Sequence, residues 1–347
     1  MATLKEIARE AGVSVSTVSL VVNGKPCVSQ DKRQRVIEII RARKYVPNYA
    51  ARALRKRHAA RTYAIGVLTP APLIAFSSSS HVYRIIAGAE QAVKQKKYHL
   101  VLGSLEPLAE GIFHLPRMLE AGEVDGILII STAALEMEKI VGSVASFSTP
   151  VVLCGYPGQD FNLPSVLIDN EKAAYEATLA LLKSGYPKVA TITGPLSYPS
   201  AAARLRGYRL ALVENGLFPD ETLVEEGDFS ELSGAEAMKR LLRHLTPPFG
   251  VFVAGDFMAK GALNVLAASG VRVPEQAGVF GFDDVEYVVQ STKPALSSVR
   301  APWEEVGRQA VSYLLALPSS GTAPPTIMLP CELKVRGSSN PNGGGSC

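Results

Sequence analysis

The 347-residue sequence has few cysteines and no long apolar run. Its four cysteines, Cys27, Cys154, Cys331 and Cys347, include no pair at the CxxC spacing that metal and redox sites use. They are typical of reduced thiols in a reducing compartment. No apolar run reaches the roughly 18 residues that a membrane span needs, and the start, MATLKEIARE, lacks the features of a signal peptide. The sequence therefore predicts a cytoplasmic protein without a membrane partner.

The sequence also lacks the motifs of common cofactor and hydrolytic sites. Its five histidines are scattered, and neither a P-loop GxxxxGK[ST] nor a GxSxG nucleophile elbow occurs. A dinucleotide-binding enzyme would need a GxGxxG turn after its first strand, where this chain has Thr69-Pro70-Ala71-Pro72. We therefore expect no metal, no cofactor and no enzymatic activity.

Positive charge is concentrated at the N-terminus. Residues 1–61 contain 14 Lys and Arg against 4 Asp and Glu, whereas the remainder contains 22 against 28. The whole-chain charge of +4 hides this contrast. A compact basic segment attached to an acidic remainder is typical of a nucleic-acid-binding module, because neutralising phosphates releases counterions.

Two short helices separated by a glycine are predicted within this basic segment. Thr3 and Glu6 form a capping box for a first helix, and Gly12 ends that helix. Ser14 can then cap a second helix over residues 15–22, whose valines recur at helical spacing. This layout is that of a helix-turn-helix, in which the second helix lies in the DNA major groove.

A third helix and a short hinge follow. Ser29 can cap a helix from Gln30 to about Arg43, whose apolar residues close a three-helix core. The next segment, residues 48–57, has helix-forming composition but is too short to be stable alone in water. We expect it to fold only when it is bound to DNA.

The remainder alternates apolar strands with amphipathic helices. Strands are predicted over residues 63–68, 100–103, 126–130, 151–154, 166–168, 189–193, 250–254 and 279–282. Helices are predicted over residues 83–97, 171–184, 203–215, 233–243, 258–269 and 303–317. Such alternation predicts parallel sheets covered by helices. Two sheets fit the length, with a ligand cleft between the facing carboxyl ends of their strands.

Several segments together resemble the LacI/GalR family of bacterial transcriptional repressors. In the first part these are AREAGVSVSTVSLVVNG, VSQDKRQRV, YVPNYAARAL and IGVLTP. In the second they are SVLIDNEKAAYEATLALLKSGYPKVATITGP, ARLRGYRLALVENGL, GDFSELSG and VFVAGDFMAKGALNVLAASGVRVPEQAGVFGFDDVE. The resemblance implies an all-α helix-turn-helix head and an α/β core of two doubly wound parallel-sheet subdomains, similar to periplasmic binding proteins.

The implied boundaries follow from these segments. The helix-turn-helix domain covers residues 1–46 and the hinge covers residues 47–61. The effector-binding and dimerisation core covers residues 62–337, and its two lobes cross over near residues 165 and 290. The tail, residues 338–347, reads SSNPNGGGSC and has the composition of a disordered linker.

The resemblance also implies which residues contact DNA. Family members read bases with the second helix and pair two hinge helices in the minor groove, where a leucine wedges between base pairs. By motif position Val15, Ser16 and Leu20 take the base-reading places, and Leu54 takes that of the wedge. The full implied set is Thr3, Ser14, Val15, Ser16, Thr17, Leu20, Asn23, Ser29, Tyr45, Asn48, Ala51, Leu54 and Arg55.

Leu20 departs from the family pattern, which commonly has arginine, histidine or another polar residue there. A leucine cannot make the bidentate guanine contact of an arginine, but it can contact a thymine methyl group. We expect a half-site that differs from those of arginine-bearing relatives, or a shift of base reading to Ser16 and Thr17.

The resemblance further implies an effector site in the core. Arg204 would clamp ligand hydroxyls, Phe229 would stack on a ligand ring, and Asp283 would accept ligand hydrogen bonds, assisted by Tyr198 and Ser200 from one strand-to-helix loop. This combination suits a polyol or sugar ring. Each residue also has a structural alternative: an ion pair for the arginine, the core for the phenylalanine and a helix cap for the aspartate.

The other lobe departs from the family more often. Gly155 stands where many relatives have a ligand-binding aspartate, and Gly255 replaces a common asparagine. His81 and Val82 fall near a usual aromatic pair. These departures predict an effector that is bulkier or less rich in hydroxyl groups than a plain monosaccharide.

The resemblance therefore implies a sequence-specific transcriptional repressor. It would bind a pseudo-palindromic double-stranded DNA operator as a homodimer and respond to a small, sugar-like effector. The alternative is a cytoplasmic small-molecule-binding protein or an enzyme built on the same two-lobe core. Salt-dependent DNA binding separates the two hypotheses, because neither alternative would show it.

Overall fold

The computed structural model describes an N-terminal unit, which ends at Ala60, and a body, which begins at Arg61. The described residues are 4–22, 28–42, 62–69, 80–104, 106–108, 112–114, 118, 122–130, 137, 141, 149–155, 157, 163–317 and 326–340. Within these ranges no helix is both long and apolar enough to cross a membrane. The hinge predicted over residues 47–61 lies outside the described residues.

The described residues of the N-terminal unit form three helices. They are α1 (Leu4–Ala11), α2 (Val15–Val22) and α3 (Gln30–Ala42). Their inner faces share one buried core, which contains Ile7, Ala8, Ala11, Val18, Val21 and Val36. Gly12 makes the turn between α1 and α2 with a φ of +63°, a conformation that favours glycine. The predicted helix-turn-helix layout is therefore confirmed.

The body alternates strands and helices along the chain. In order these are β1 (Ala64–Thr69), α4 (Ser80–Gln95), β2 (His99–Ser104), β3 (Glu106–Leu108), β4 (Ile112–His114), β5 (Gly126–Ile130), β6 (Val151–Cys154), β7 (Ser165–Ile168), α5 (Asn170–Lys183), β8 (Val189–Thr193), α6 (Pro199–Glu214), β9 (Val224–Glu226), α7 (Glu231–Leu241), β10 (Phe249–Val253), α8 (Asp256–Ala268), β11 (Ala277–Phe282), α9 (Glu286–Ser291), β12 (Ser297–Arg300), α10 (Trp303–Ala316), β13 (Ile327–Leu329) and β14 (Glu332–Lys334).

Two six-stranded sheets define two lobes. Lobe 1 has the strand order β13-β7-β6-β5-β1-β2, and lobe 2 has the order β14-β12-β11-β10-β8-β9. Neighbouring strands run parallel except β12 and β14. The central strands β1, β5, β10 and β11 are buried along their whole length, as their continuous apolar sequences predict. The predicted fold class is confirmed.

The chain passes between the lobes three times, not twice as the sequence predicted. The first passage, at Asp169, agrees with the predicted crossing near residue 165, because α5 packs on strands of lobe 2. The second joins β12 to α10 at residues 301–302, later than the predicted position near 290. The third, at residues 330–331, joins β13 to β14 and was missed. Strands of three residues carry no hydrophobic period from which such a passage can be predicted.

The predicted disordered tail begins too early. Ser338 is fully buried, and its Oγ donates to the carbonyl of Val279 (2.7 Å) and accepts from the N–H of Ser297 (2.8 Å). Ser339 is 3 % exposed, and its Oγ lies 2.7 Å from Ser297 Oγ. The prediction is wrong for both serines, because Ser338 satisfies backbone groups of β11 and β12 and Ser339 bonds the hydroxyl of Ser297, so neither side chain faces water.

Helices α4 and α10 approach each other closely on lobe 1. A Cβ atom at Gly88 would lie 1.8 Å from the carbonyl oxygen of Glu304, and one at Gly307 would lie 2.0 Å from that of Ile85. Both distances are far below van der Waals contact, so each glycine is required by space. This close contact, the α4–α10 seam, fixes the two helices relative to each other. It thereby fixes the side chains that flank the contact.

We expect Gly307→Ala to destabilise the body by about 3 kcal/mol, because the added methyl group meets the backbone of α4 and must push the helices apart. Urea denaturation followed by circular dichroism measures the change. Ser312→Ala, on the exposed side of α10, is the matched control and should stay within about 0.5 kcal/mol of the parent. Equal unfolding midpoints for the two variants would contradict the tight seam.

Candidate functional site

The exposed face of α2 carries the implied base-reading residues. Ser14 Oγ accepts from the N–H of Thr17 (3.1 Å), so Ser14 caps α2 as predicted. Val15 is 42 % exposed, Ser16 is exposed and Leu20 is half-buried. This face offers short polar and apolar side chains without formal charge, which suits close approach to DNA bases.

Seven of the implied DNA contacts lie outside the described residues and stay predictions. They are Thr3, Asn23, Tyr45, Asn48, Ala51, Leu54 and Arg55. Ser29 is described, and its carbonyl accepts from the N–H of Arg33 (3.0 Å) at the start of α3. Ser29 thus holds the N-cap position that the sequence predicted for it.

Arg204 is a buried cation at the lobe 2 side of the cleft between the lobes. The residue is 4 % exposed. Its Nε donates to Asn170 Oδ1 (2.9 Å), its Nη1 donates to the carbonyl of Ala254 (2.6 Å), and its Nη2 lies 3.9 Å from Asp283 Oδ1. The guanidinium carbon stands 3.6 Å from the ring centroid of Phe282, a cation–π contact. Burial lowers the pKa of Arg204, and Asp283 opposes that shift.

Helix α6 begins earlier than the sequence predicted. It starts at Pro199 instead of Ala203, with Tyr198 at the N-cap. Proline suits the first helical position, where its missing N–H costs nothing. Ser200 therefore lies on the helix and not in a loop, one turn before Arg204, and the loop placement predicted for it is wrong.

Asp283 directly follows β11 and turns towards Arg204. Its φ of +100° is a left-handed conformation, which costs a non-glycine residue about 1–3 kcal/mol. Its Oδ1 accepts from Trp303 Nε1 (3.3 Å). The neighbouring carboxylate of Asp284 instead forms ion pairs with Arg300 (2.6 Å) and Arg336 (2.7 Å). The helix-cap alternative fails for Asp283, because the N-cap of α9 is a valine without a side-chain bond.

Lobe 1 faces this pair with two aromatic rings. The rings of His81 and Trp303 lie 5.3 Å apart at 45°. His81 Nε2 is buried and has no hydrogen-bond partner among the described residues. Burial lowers the pKa of His81 below its ordinary 6.5, Asp283 opposes the shift, and Arg204 adds to it. The imidazole is therefore neutral at pH 7.

Phe229 lines lobe 2 beside two glycines. A Cβ atom at Gly194 would lie 2.0 Å from Phe229 Cζ, and one at Gly255 would lie 3.3 Å from Phe229 Cδ1. Tyr198 meets the ring edge-on, with centroids 6.0 Å apart. The ring thus covers both glycines and remains half-buried, so one side of it packs on lobe 2. Its stacking on a ligand stays a prediction.

A groove of about 740 Å³ is lined by Asn170, a partner of Arg204, but not by Arg204 or Asp283 themselves. Gly155 lines it from lobe 1, and Asn170 and Ser200 line it from lobe 2. Asn170 connects the groove to Arg204, because the same amide accepts from its Nε. Among the described residues, only Trp303 comes within 4 Å of where a Cβ at Gly155 would stand, at 3.8 Å, and Gly155 itself has a φ of +78°. The groove therefore has room on the side where the sequence lacks the usual aspartate.

The structure brings four of the five implied effector residues into two pairs and places the fifth in the groove. Arg204 and Asp283 form one cluster, Tyr198 and Phe229 form another, and Ser200 lines the groove. The contacts of Asn170 and Trp303 with the first of these pairs, and the Nε2 of His81, unpartnered among the described residues, were not predicted from the sequence. The only tryptophan in the sequence was a possible signal, because a buried indole N–H usually finds a hydrogen-bond partner.

Metal and thiol chemistry have no support among the described residues. These residues contain no group of His, Cys, Asp and Glu that could hold a metal ion. Cys154 and Cys331 are free, and burial raises the pKa of each thiol to about 12. Both thiols are therefore protonated at neutral pH and poor nucleophiles.

Comparison with known proteins gives matches over nearly the whole chain. A family model described as "Bacterial regulatory proteins, lacI family" matches residues 3–48, and one described as "Periplasmic binding protein-like domain" matches residues 178–339. Catabolite control protein A of Priestia megaterium is 33% identical over 96% of this chain and 98% of its own length. The transcriptional regulator CelR of Thermobifida fusca is 35% identical over 96% and 97%.

Two solved structures extend the likeness to the fold. A complex of the transcriptional regulator CelR with cellobiose has a TM-score of 0.70 at 32% identity, covering 97% of this chain and 100% of that one. The lac repressor dimer bound to operator and the anti-inducer ONPF has a TM-score of 0.68 at 27% identity, covering 98% and 99%.

The neutral state of His81 predicts a pH effect on stability. The unfolded histidine takes up a proton near pH 6.5, whereas the buried one resists it, so the protein loses stability as the pH falls below 6.5. We expect the melting temperature of the parent, relative to His81→Asn, to fall between pH 7.5 and pH 5. Carboxyl groups common to both proteins cancel in this difference. Parallel curves would show that the folded protein protonates His81 freely.

Proposed function

The chain belongs to the lacI family of bacterial regulatory proteins, and we propose that its operator binding is controlled by an effector held between the lobes on Arg204 and Asp283. As a member of this family it is a DNA-binding transcriptional regulator that acts as a homodimer. The observation that supports the effector site is the buried guanidinium of Arg204, which lies 3.9 Å from the carboxylate of Asp283. The backbone of Asp283 is held in a left-handed conformation. Such strain is typical of ligand-binding positions.

We propose that DNA binding is divided between α2 and the hinge. Residues 1–46 would form the DNA-binding domain, residues 47–61 the hinge, and the core would extend from residue 62 past the two buried serines at its end. Val15, Ser16 and Leu20 would read bases from α2, and Leu54 would act as the minor-groove wedge. The exposed side chains of α2 support this assignment.

The chemistry of the cleft favours a sugar-like effector. The guanidinium offers charged donors, Asp283 offers acceptors, and His81 Nε2 adds an unpartnered polar atom opposite them. Trp303 supplies an apolar face of the kind that packs on sugar rings. The relative solved with cellobiose supports the same class.

The size of the groove favours an effector of more than one ring. Its volume of about 740 Å³ lies within the range of roughly 300–1,000 Å³ that holds drug-sized ligands. Among the described residues only Trp303 stands within 4 Å of the Cβ position of Gly155 on the lobe 1 side, whereas Phe229 fills the space beside Gly255 on the lobe 2 side. We therefore propose that a first ring binds at the arginine and that a second unit extends along the groove.

We propose that the protein has no enzymatic activity and acts in the cytoplasm, where operator DNA lies. The buried carboxyl of Asp256 is not available for acid–base chemistry on a ligand. Its oxygens accept from Ser298 Oγ (2.6 Å) and the N–H of Val285 (2.7 Å), and burial raises its pKa well above the ordinary value. This bonding gives the carboxyl a structural role beneath the cleft.

Selection from random duplex DNA tests the regulator directly. We expect a pseudo-palindromic site with a symmetric footprint, because two-fold symmetry doubles the contacts of one short recognition helix. With about six to ten phosphate contacts the slope of log affinity against log salt should be roughly −5 to −9. Leu20→Arg should move the half-site towards guanine. A DNA affinity that does not change with salt, together with an asymmetric footprint, would contradict the assignment as a dimeric DNA-binding regulator.

The effector site is tested with Arg204→Ala and Asp283→Asn. Both should keep operator affinity but lower effector affinity by about 30- to 150-fold, since each removes a charged hydrogen-bond partner. A panel of D-ribose, cellobiose and hypoxanthine can be screened by the fluorescence of the single tryptophan, Trp303, before calorimetry.

The matched control for these variants is Arg209→Ala. Arg209 lies on the same helix as Arg204 but forms an exposed ion pair with Glu221 (2.6 Å), away from the cleft. Its removal should leave both affinities near those of the parent. If the two cleft variants bind the effector as tightly as this control, the effector site lies elsewhere.

A further inference from the structure

We propose that Arg84, on α4 of lobe 1, is a positioning residue that holds Asp283 of lobe 2 in its ligand-facing orientation. The inference rests on the proposed role of Asp283 in effector binding. Arg84 is not one of the residues proposed to contact the effector. We assign to it the link between the lobes.

The guanidinium of Arg84 joins three parts of the body. Its Nε and Nη2 donate to the two carboxylate oxygens of Glu304 (2.8 and 2.9 Å) at the start of α10. Its Nη2 also donates to the carbonyl of Ala301 (3.1 Å) in the second passage between the lobes. Its Nη1 donates to the carbonyl of Asp283 (3.0 Å). One side chain thus connects lobe 1, a passage and the effector residue of lobe 2.

The lobe 1 end of this connection is rigid. Arg84 and Glu304 flank the seam at which Gly88 brings α4 against the backbone of α10. Their bidentate ion pair fixes the guanidinium plane. Burial raises the pKa of Glu304, but the hydrogen bond and charge of Arg84 outweigh burial, so the net pKa is lowered and the carboxylate stays charged. The seam and the ion pair together give Arg84 a fixed place from which to reach lobe 2.

The lobe 2 end needs support because it is strained. Asp283 and Asp284 adopt successive left-handed conformations, with φ values of +100° and +52°, each of which costs about 1–3 kcal/mol. The N–H of Asp283 donates to the carbonyl of Val299 (2.9 Å), and that of Asp284 donates to Ser298 Oγ (3.1 Å). These bonds come from lobe 2 itself and hold one side of the turn.

Lobe 1 holds the other side of the turn. Arg84 binds the carbonyl of Asp283, and Trp303 donates to its carboxylate. Both contacts start from the α4–α10 pair, so any rotation of lobe 1 against lobe 2 acts on the backbone and the side chain of Asp283 together. A cleft occupied by effector and a particular lobe angle are therefore coupled through this one residue.

Only an arginine among the cationic residues suits this position. Lysine carries one ammonium group and cannot donate in a plane to a carboxylate and to two separate carbonyls. We therefore expect Arg84→Lys to fail to restore the parent behaviour. A role as a simple positive charge near Glu304 would instead be restored by lysine.

The test is amide hydrogen exchange of the ligand-free, full-length protein, read at residues 283–285. Arg84→Met keeps the length of the side chain and removes every donor. We expect exchange there to become about tenfold faster, because the turn loses the bond that holds its carbonyl. The indole of Trp303 donates to the carboxylate of Asp283, so acrylamide quenching of Trp303 should become stronger in the same variant.

The matched control is Arg308→Met. Arg308 lies on α10 and pairs with Glu305 (2.6 Å) and Gln91 (3.2 Å), both on lobe 1 helices, and it does not reach Asp283. This variant should leave exchange at residues 283–285 and the quenching of Trp303 at parent values. A second variant, Glu304→Gln, breaks the charged pair but keeps the bond of Arg84 to Asp283, and should change exchange there by less than Arg84→Met.

Parent-like exchange at residues 283–285 in Arg84→Met would overturn the positioning role, as would full restoration by Arg84→Lys. Because both measurements use no ligand and no DNA, they do not depend on the proposed function. Full effector affinity in the Arg204→Ala and Asp283→Asn variants would contradict the proposed effector site. The exchange measurement tests the role of Arg84 alone.

Discussion

A guanidinium group taken out of water constrains the whole cleft. Burying a cation is costly unless partners replace its hydration, and removing one partner leaves the charge uncompensated. Arg204 obtains its partners from three separate places: Asn170 after the first passage, the carbonyl of Ala254 after β10, and the ring and carboxylate at the end of β11. The buried charge is compensated only because the ends of these elements converge on it. In the proposed effector site, a ligand hydroxyl would meet donors already oriented by the fold.

The fold was predictable where a segment is long enough to carry a period. Continuous apolar strands such as β1 and β10 and the helices between them have strong patterns, and their predicted positions agree with the structure to within a few residues. Strands β13 and β14 have three residues each, and their pairing depends on neighbours far along the chain. The third passage between the lobes was missed for that reason. Ser338 was read as linker, although backbone groups of β11 and β12 need its hydroxyl.

The site was predictable only where a motif contains it. Asp283 stands in the GFDD sequence and Arg204 in the ARLRG sequence of segments that resemble the family, so the resemblance implied a role for both. His81 and Trp303 come from opposite ends of the body, and their contact with each other depends on the α4–α10 seam, which no local pattern encodes. The same holds for Arg84, whose partners lie about two hundred residues away along the chain. From sequence alone, a charged residue on an amphipathic helix is predicted to face solvent, even where its side chain contacts distant residues in the fold.

Phe229 and the two glycines beneath it form a set whose members constrain one another. An asparagine at position 255, common in this family, would begin at a Cβ only 3.3 Å from the phenylalanine ring, and any side chain at position 194 would overlap it at 2.0 Å. Replacing the ring first leaves a cavity, replacing Gly194 first creates a clash, and replacing Gly255 first requires the ring to shift by a few tenths of an ångström. These three positions are therefore epistatic: the order of substitutions decides which ligand specificities are reachable from this sequence, and grafting a relative's binding residue into this cleft requires exchanging the set together.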